Sequence, residues 1–146
     1  MGIRRIVLIL CMVAITLWLT ACQGSGEVDA DFAHPMAEEV LRAINEGDYE
    51  TFSKNFNEEH KAQLPQVFEA QILPIRDLIG DYQEDSKDLI TAKEIDKNYV
   101  QVVYNASYSK EEGNVIITFN FNRDEENRVI EGFFMNSSKI QEMMKQ

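Results

Sequence analysis

The chain has 146 residues, enough for one domain of common size, and its 14 basic and 25 acidic residues give a net charge of −11. This balance argues against nucleic acid as a partner, because binding to phosphates requires lysine and arginine. It also opposes flat adsorption on anionic lipid. Composition therefore indicates an acidic globular domain, without naming its activity.

The first element is an apolar run that begins after Arg4 and Arg5 and continues from residue 6 to Leu19. A helix that spans a bilayer needs about 20 apolar residues, so this run is too short to cross comfortably. Its length, the preceding positive charge and the small residues that follow are typical of a signal peptide. The run ends in Leu19-Thr20-Ala21-Cys22, where the small residues lead directly into a cysteine.

Leu19-Thr20-Ala21-Cys22 resembles the lipobox of bacterial lipoproteins. The resemblance implies that residues 1–21 are a signal peptide, and that Cys22 carries diacylglycerol and becomes the first residue of the mature chain. The partner would then be a membrane, with the protein in the cell envelope, lipid-anchored on the extracytoplasmic side. Two acyl chains hold a protein stably at a bilayer, whereas one holds it only marginally. An uncleaved anchor helix, or a simple signal peptide with an incidental cysteine, remains open as an alternative.

The predicted cleavage has two consequences for the mature chain. Cys11 leaves with the signal peptide, so no intramolecular disulfide can form. Arg4 and Arg5 leave without any acidic residue, which changes the net charge from −11 to −13. Residues 22–31 are small, polar and glycine-containing, and we expect a flexible tether there. Its part from Gln23 to Ala30 would span roughly 15 Å as a random coil. Residues 32–146 would form a single domain.

The first half of the domain has helical periodicity. The pattern predicts a helix from Pro35 that Gly47 ends, and a second short helix capped by Asp48. A third helix would be capped by Asn57. Pro65 and Pro74 divide the segment that follows, so a break or kink is expected at each, and Gly80 stops the segment.

The second half changes to the alternation typical of strands. Residues 100–108 and 115–122 each place apolar side chains on one row, and Val129, Glu131, Phe133 and Met135 share a third row. Residues 89–95 form a weaker first strand. The short polar segments 111–114 and 124–127 are predicted connections of an antiparallel meander. Residues 138–146 would be a short terminal helix or a frayed tail.

Helices followed by strands predict an α+β fold, with N-terminal helices packed on a curved antiparallel four-stranded sheet. Residues 37–56, AEEVLRAINEGDYETFSKNF, resemble the opening of an uncharacterised domain family found in bacterial lipoproteins and beside some hydrolases. The resemblance extends over residues 32–136. It implies the nuclear transport factor two-like (cystatin-like) fold, a cone of helices wrapped by the sheet. No catalytic residues are established for that family, so it implies none here.

Glu131 is the candidate catalytic residue, because it shares a row with apolar side chains and would face Tyr104 and Phe119 in a simple register. Desolvation would raise the pKa of its carboxyl group and allow it to act as a general base. The alternatives are a glutamate that reaches water at the strand edge, or a register shifted by one residue. Four aromatic residues of the same inner face are the candidate ligand-binding set: Tyr104, Tyr108, Phe119 and Phe133.

Other chemistry has little support in the sequence. His34 and His60 are interpreted as exposed, no zinc spacing or calcium loop occurs, and we expect neither a metal nor a cofactor. Three hypotheses follow. The first is a non-catalytic domain that binds a small apolar ligand or an envelope protein. The second is a proton-transfer enzyme that uses Glu131 with a tyrosine hydroxyl. The third is a homodimer with an envelope-assembly role, whose sheets pack through an outer row that includes Ile116 and Phe134.

Overall fold

The computed structural model describes residues 26–146. The predicted signal peptide, Cys22 and the first residues of the predicted tether lie outside the described residues. Within residues 26–146, no helix has both the length and the apolar character needed to cross a membrane.

The first helix begins two residues before Pro35, where the sequence predicts its start, and ends at the predicted Gly47. Helix α1 (Ala33–Glu46) ends at Gly47, whose φ of 68° is left-handed and favours glycine. Helix α2 (Tyr49–Ser53) is capped by Asp48, whose side chain accepts a hydrogen bond from the Thr51 N–H. The caps at Gly47 and Asp48 are thus confirmed.

The predicted third helix begins later than expected, and the role proposed for Asn57 is wrong. The side chain of Asn57 accepts from the Glu59 N–H within a turn, and helix α3 (Leu64–Val67) starts seven residues further on. A π-helical turn (Phe68–Ile72) and helix α4 (Leu73–Ile79) follow without a gap. Pro74 has no N–H for the carbonyl of Ala70, and the preceding turn widens to the π pattern, with Leu73 donating to Phe68.

Four antiparallel strands form one curved sheet in the order β1-β2-β3-β4. They are β1 (Asp88–Glu94), β2 (Tyr99–Tyr108), β3 (Glu111–Asn122) and β4 (Ile130–Asn136). Helix α5 (Ser138–Met144) closes the chain and confirms the predicted terminal helix. The α+β class, with helices first and a meander after them, is confirmed.

Two details of the predicted sheet are wrong. The segment 111–114 is not a connection: β3 already begins at Glu111, and the turn consists of Ser109 and Lys110. The row assigned to β4 is also incorrect. Phe121 pairs with Ile130 and Asn120 pairs with Gly132, so Glu131 is an extra residue in a β-bulge. The bulge reverses the inward and outward alternation of the side chains that precede it. As a result, Ile130 rather than Val129 shares the inner face with Phe133.

The core lies between α1 and the inner face of the sheet. The predicted inner rows of β2 and β3 are confirmed, because all their members are at most 4% exposed: Val100, Val102, Tyr104, Ala106, Tyr108, Val115, Ile117, Phe119 and Phe121. One side of α1 packs within the same core through six residues: Ala33, Ala37, Val40, Leu41, Ala43 and Ile44. Since each side chain leaves water almost completely, this interface contributes much of the stability of the fold.

Each edge of the sheet is bridged at one position by a segment that is not a strand. At β1, Glu27 bridges to Lys93, and the Val28 N–H donates to the Ala92 carbonyl at 3.2 Å. At β4, the Asn57 N–H donates to the Ile130 carbonyl, and the Ile130 N–H donates to the Asn55 carbonyl. Residues 27–30 belong to the predicted tether, so this part of it lies against the domain, with Ala30 buried.

Candidate functional site

Most of the predicted aromatic ligand set lies in the closed core. Tyr104 and Phe119 are fully buried and Tyr108 is 4% exposed, whereas Phe133 is only partly buried. The hydroxyls of Tyr104 and Tyr108 have no hydrogen-bond partner among the described residues. Burial raises the pKa of both tyrosines, so both stay protonated at neutral pH. A ligand at these rings would have to displace the packing beneath α1.

An open apolar groove lies beside β4, and we call it the β4 groove. Its floor comes from β4 and its wall from α2, α3 and the π turn, and the cavity has a volume of about 230 Å³. The lining residues are Phe52, Phe56, His60, Gln63, Leu64, Val67, Ile72, Glu131, Gly132, Phe133 and Phe134. Phe133 is the member of the predicted ligand set that the structure brings to this groove.

Glu131 lies in the lining of the β4 groove, where the bulge directs it toward the turn that follows α2. The Asn57 side-chain amide donates to both carboxylate oxygens, at 2.9 Å to Oε1 and 3.1 Å to Oε2. The His60 Nε2 atom lies 3.2 Å from Oε2. The Glu131 side chain is 15% exposed, against 49% for His60. A carboxylate held by two polar partners can bind a hydrogen-bond donor on a ligand whose remaining surface is apolar.

The predicted surroundings of Glu131 are wrong. Phe119 pairs with Phe133, not with Glu131, because the bulge displaces the glutamate from the simple register. Tyr104 and Tyr108 lie on β2, and β3 separates them from β4. The structure therefore does not bring Glu131 and a β2 tyrosine together as neighbours on adjacent strands. It brings Glu131 to Asn57 and His60 instead.

His60 is a site residue that the sequence analysis missed. It lies in the run Asn57-Glu58-Glu59-His60, which has no periodicity and is typical of a solvated turn. The signal that could have found it is the apolar position of Phe56 just before this turn. Phe56 forms a parallel bridge with Ile130, and this bridge places the turn beside Glu131.

A second apolar cavity continues the β4 groove toward the C-terminus. It has a volume of about 430 Å³ and lies between the π turn, α4, β4 and α5. The two cavities share Ile72, Phe133 and Phe134, and the second adds three methionines: Met135, Met143 and Met144. Methionine is unbranched and adapts to irregular shapes, so this end of the groove can change its form around an occupant.

The outer face of the sheet differs from the rest of the surface in charge. Asp88 and Lys93 carry charge at outward positions of β1, whereas the paired outward positions of β2, β3 and β4 carry no charged side chain: Tyr99, Gln101, Val103, Asn105, Ile116, Thr118, Asn120, Asn122, Gly132, Phe134 and Asn136. Ile116 is 36% exposed and Phe134 is 61% exposed. An uncharged area formed by three strands is uncommon on a chain in which 27% of residues are charged.

A partly buried ion pair holds the segment before β1 against α1. Lys87 pairs with Glu38, and the Tyr82 hydroxyl donates to the same carboxylate at 3.0 Å. Burial by itself would raise the pKa of Glu38, but the hydrogen bonds from Lys87 and Tyr82 together with the lysine charge hold that pKa below its ordinary value. Asn45 fixes Tyr82 through two hydrogen bonds to its backbone. This cluster therefore supports the fold from the side of α1 remote from the β4 groove.

Residues 26–146 contain no group of three or more histidine, cysteine, aspartate or glutamate side chains placed to hold a metal ion. The site defined by these observations is an apolar groove with a carboxylate, an amide and an imidazole in its lining, on an α+β domain.

The comparisons with known proteins give the family of the chain and no function. Residues 37–133 match the model of a family described as Protein of unknown function (DUF3887), which covers well over half of the chain. The chain belongs to this family. No curated protein and no solved structure matched it.

Proposed function

We propose that the protein is a lipid-anchored lipoprotein on the extracytoplasmic side of a bacterial membrane, and that its domain binds a small apolar ligand in the β4 groove without catalysing a reaction. The observation that carries the binding function is the open apolar lining beside a fixed carboxylate. The anchor is supported by the basic start, the short apolar run and Cys22 at its end. That the domain takes the nuclear transport factor two-like cone stays a prediction.

The lipid anchor is tested by Cys22→Ser. The unmodified chain should incorporate radiolabelled palmitate and float with membranes, because two acyl chains give stable attachment. The variant should incorporate no label, and it should be soluble or remain unprocessed. A variant that is still membrane-bound at the mature length would contradict the lipobox.

The binding function is tested with purified mature protein and Nile red, a neutral apolar dye. Val67→Trp places a large ring in the β4 groove, and we expect it to reduce dye binding at least tenfold. Ile116→Trp on the outer face is the matched control and should bind the dye as the unmodified protein does. Native mass spectrometry of the same preparation should detect a co-purifying apolar compound. Equal dye binding by both variants would exclude the groove as the site.

A second candidate function is a homodimer that serves envelope assembly. The uncharged outer area of β2, β3 and β4 favours it, since two copies with a predicted charge of −13 would meet with least repulsion where neither carries charge. Ile116→Lys would place a charge on β3, the middle strand of this area. We expect the variant to be monomeric by light scattering, with Nile red binding unchanged. A monomeric unmodified protein at micromolar concentration would rule out this candidate.

A further inference from the structure

Residues 27–28 lie beside the C-terminal end of β1. Glu27 and Val28 run antiparallel to β1, with Glu27 opposite Lys93. The chain that precedes Glu27 therefore approaches the domain from the end of the sheet at which β1 ends. On that side, the turn after β1 (residues 95–98) lies beside the turn after β3 (residues 123–129), because the Arg123 N–H donates to the Asn98 carbonyl at 3.0 Å. We call these two turns the paired-turn end.

We propose that the paired-turn end faces the bilayer surface and that the Ser109–Lys110 turn at the opposite end of the sheet points away from it. This inference rests on the proposed lipid anchor at Cys22. It adds an orientation that the anchor alone does not supply, because a long flexible tether would allow the domain to turn freely.

The length of the free chain supports the orientation. Four residues, Gln23 to Gly26, separate Cys22 from Glu27. Fully extended, they allow at most about 18 Å between the Cα atoms of Cys22 and Glu27. Strand β3 has 12 residues and extends about 40 Å between the two ends of the sheet. The tether is therefore too short to bring the remote end to the membrane while residues 27–28 stay paired with β1.

The side chains at the paired-turn end suit a lipid headgroup region. Ile95 is 42% exposed and Tyr99 is 36% exposed, and a tyrosine ring places an apolar body and a polar hydroxyl at such a boundary. Lys97, Arg123 and Arg128 supply positive charge, and Asp96 with the acidic residues 124–126 exceeds it by one. Because the charges nearly cancel, the anchor and not electrostatic attraction holds this end at the lipid.

The orientation is tested with a matched pair of single-cysteine variants of the lipidated mature protein. Glu125→Cys lies in the turn after β3, and Glu112→Cys lies near the remote end of the same strand. Both replace an exposed glutamate, so both change the charge equally. Since Cys11 is predicted to leave and Cys22 to be alkylated, each variant would carry a single free thiol for a fluorescent donor.

The labelled proteins are reconstituted into phosphatidylcholine vesicles that contain an acceptor on the lipid headgroup. The transfer distance of the dye pair is chosen to be shorter than β3. We expect severalfold more energy transfer from position 125 than from position 112. Equal transfer, or more transfer from position 112, would overturn the orientation.

A third variant tests whether the pairing along β1 causes the orientation. Val28→Pro removes the N–H that donates to the Ala92 carbonyl. Residues 27–28 would then no longer be held against β1, and the free segment between Cys22 and the domain would become longer. The difference between positions 125 and 112 should shrink in this background. An unchanged difference would mean that the pairing does not orient the domain, which would also overturn the proposal. Protein that does not float with vesicles at all would instead contradict the lipid anchor.

Discussion

The two halves of the inner sheet face have similar aromatic residues and different environments. On β2 and β3, Tyr104 and Phe119 are fully buried beneath α1. On β4, Phe133 lines a groove, since the wall there consists of two short helices, a π turn and the turn around His60. The comparison shows that the helices packed over the sheet, rather than the inward row of the strand, determine whether an aromatic side chain is buried in the core or lines the groove.

We call the half beneath α1 the closed half and the half at the β4 groove the open half. The closed half should lose much more stability than the open half when an aromatic ring is removed. Phe119→Ala leaves a cavity between Tyr104, Phe121 and Phe133, and we expect a loss of about 3–5 kcal/mol in the free energy of unfolding. Phe133→Ala removes the ring of the open half, which is only partly buried, and should cost less, about 1–2 kcal/mol. Urea denaturation of both variants measures the difference. Similar losses would mean that the open half is packed as firmly as the closed one.

The ion pair beside α1 gives the closed half a dependence on pH. Lys87→Met leaves the Glu38 carboxylate partly buried without its cation, and it should cost about 1–3 kcal/mol at neutral pH. Because the pKa of Glu38 is lowered in the folded state, its contribution is present above the ordinary value of 4.5 and is lost as pH falls through the folded value.

Thermal denaturation of the unmodified protein and Glu38→Gln between pH 3 and pH 7 tests this dependence. The two melting temperatures should differ at neutral pH and converge as the solution becomes acidic. A constant difference over the whole range would show that the charge of Glu38 is not responsible.

The open half should depend on the hydrogen bonds around Glu131. Asn57→Ala removes both bonds to that carboxylate and should cost about 1 kcal/mol. Hydrogen exchange at the Ile130 amide, which donates to the Asn55 carbonyl at 2.7 Å, should become faster because the turn is held less firmly. Asn114→Ala, at an exposed position of β3, is the control and should change neither quantity.

The smallest change is expected at Tyr104. Its hydroxyl is buried without a partner among the described residues, so Tyr104→Phe should alter the free energy of unfolding by no more than about 0.5 kcal/mol, or increase it slightly. Tyr82→Phe is the matched comparison, since it loses the bond to Glu38 and should cost about 1 kcal/mol. A loss at Tyr104 as large as the loss at Tyr82 would reveal a hydrogen bond in the closed half.

The sequence predicts the parts of this comparison that depend on local pattern. Alternation along residues 100–108 and 115–122 identifies the inner rows, because the side chains of a strand point to opposite faces in turn. Gly47 and Asp48 mark the helix ends through their own backbone and side-chain chemistry. None of these signals depends on contacts distant in sequence.

The candidate site could not be predicted in the same way, because distant contacts create it. An extra residue at Glu131 changes which side chains of β4 face inward, and its local sign is Gly132, since a glycine within a strand often marks a bulge without fixing the register. The approach of His60 to Glu131 depends on a bridge between residues 74 positions apart, Phe56 and Ile130. The opening of the groove depends on how far the short helices extend over β4, which periodicity does not encode.

The bridges at the two sheet edges affect how neighbouring copies of the protein can interact. A bare outer strand offers unpaired N–H and C=O groups, and these can recruit the same strand from another molecule into a growing fibre. Here Val28 and Asn57 already occupy ladder positions at the two borders. Each bridge occupies its edge only at that position, so a strand from another molecule could not pair along the whole length of β1 or β4.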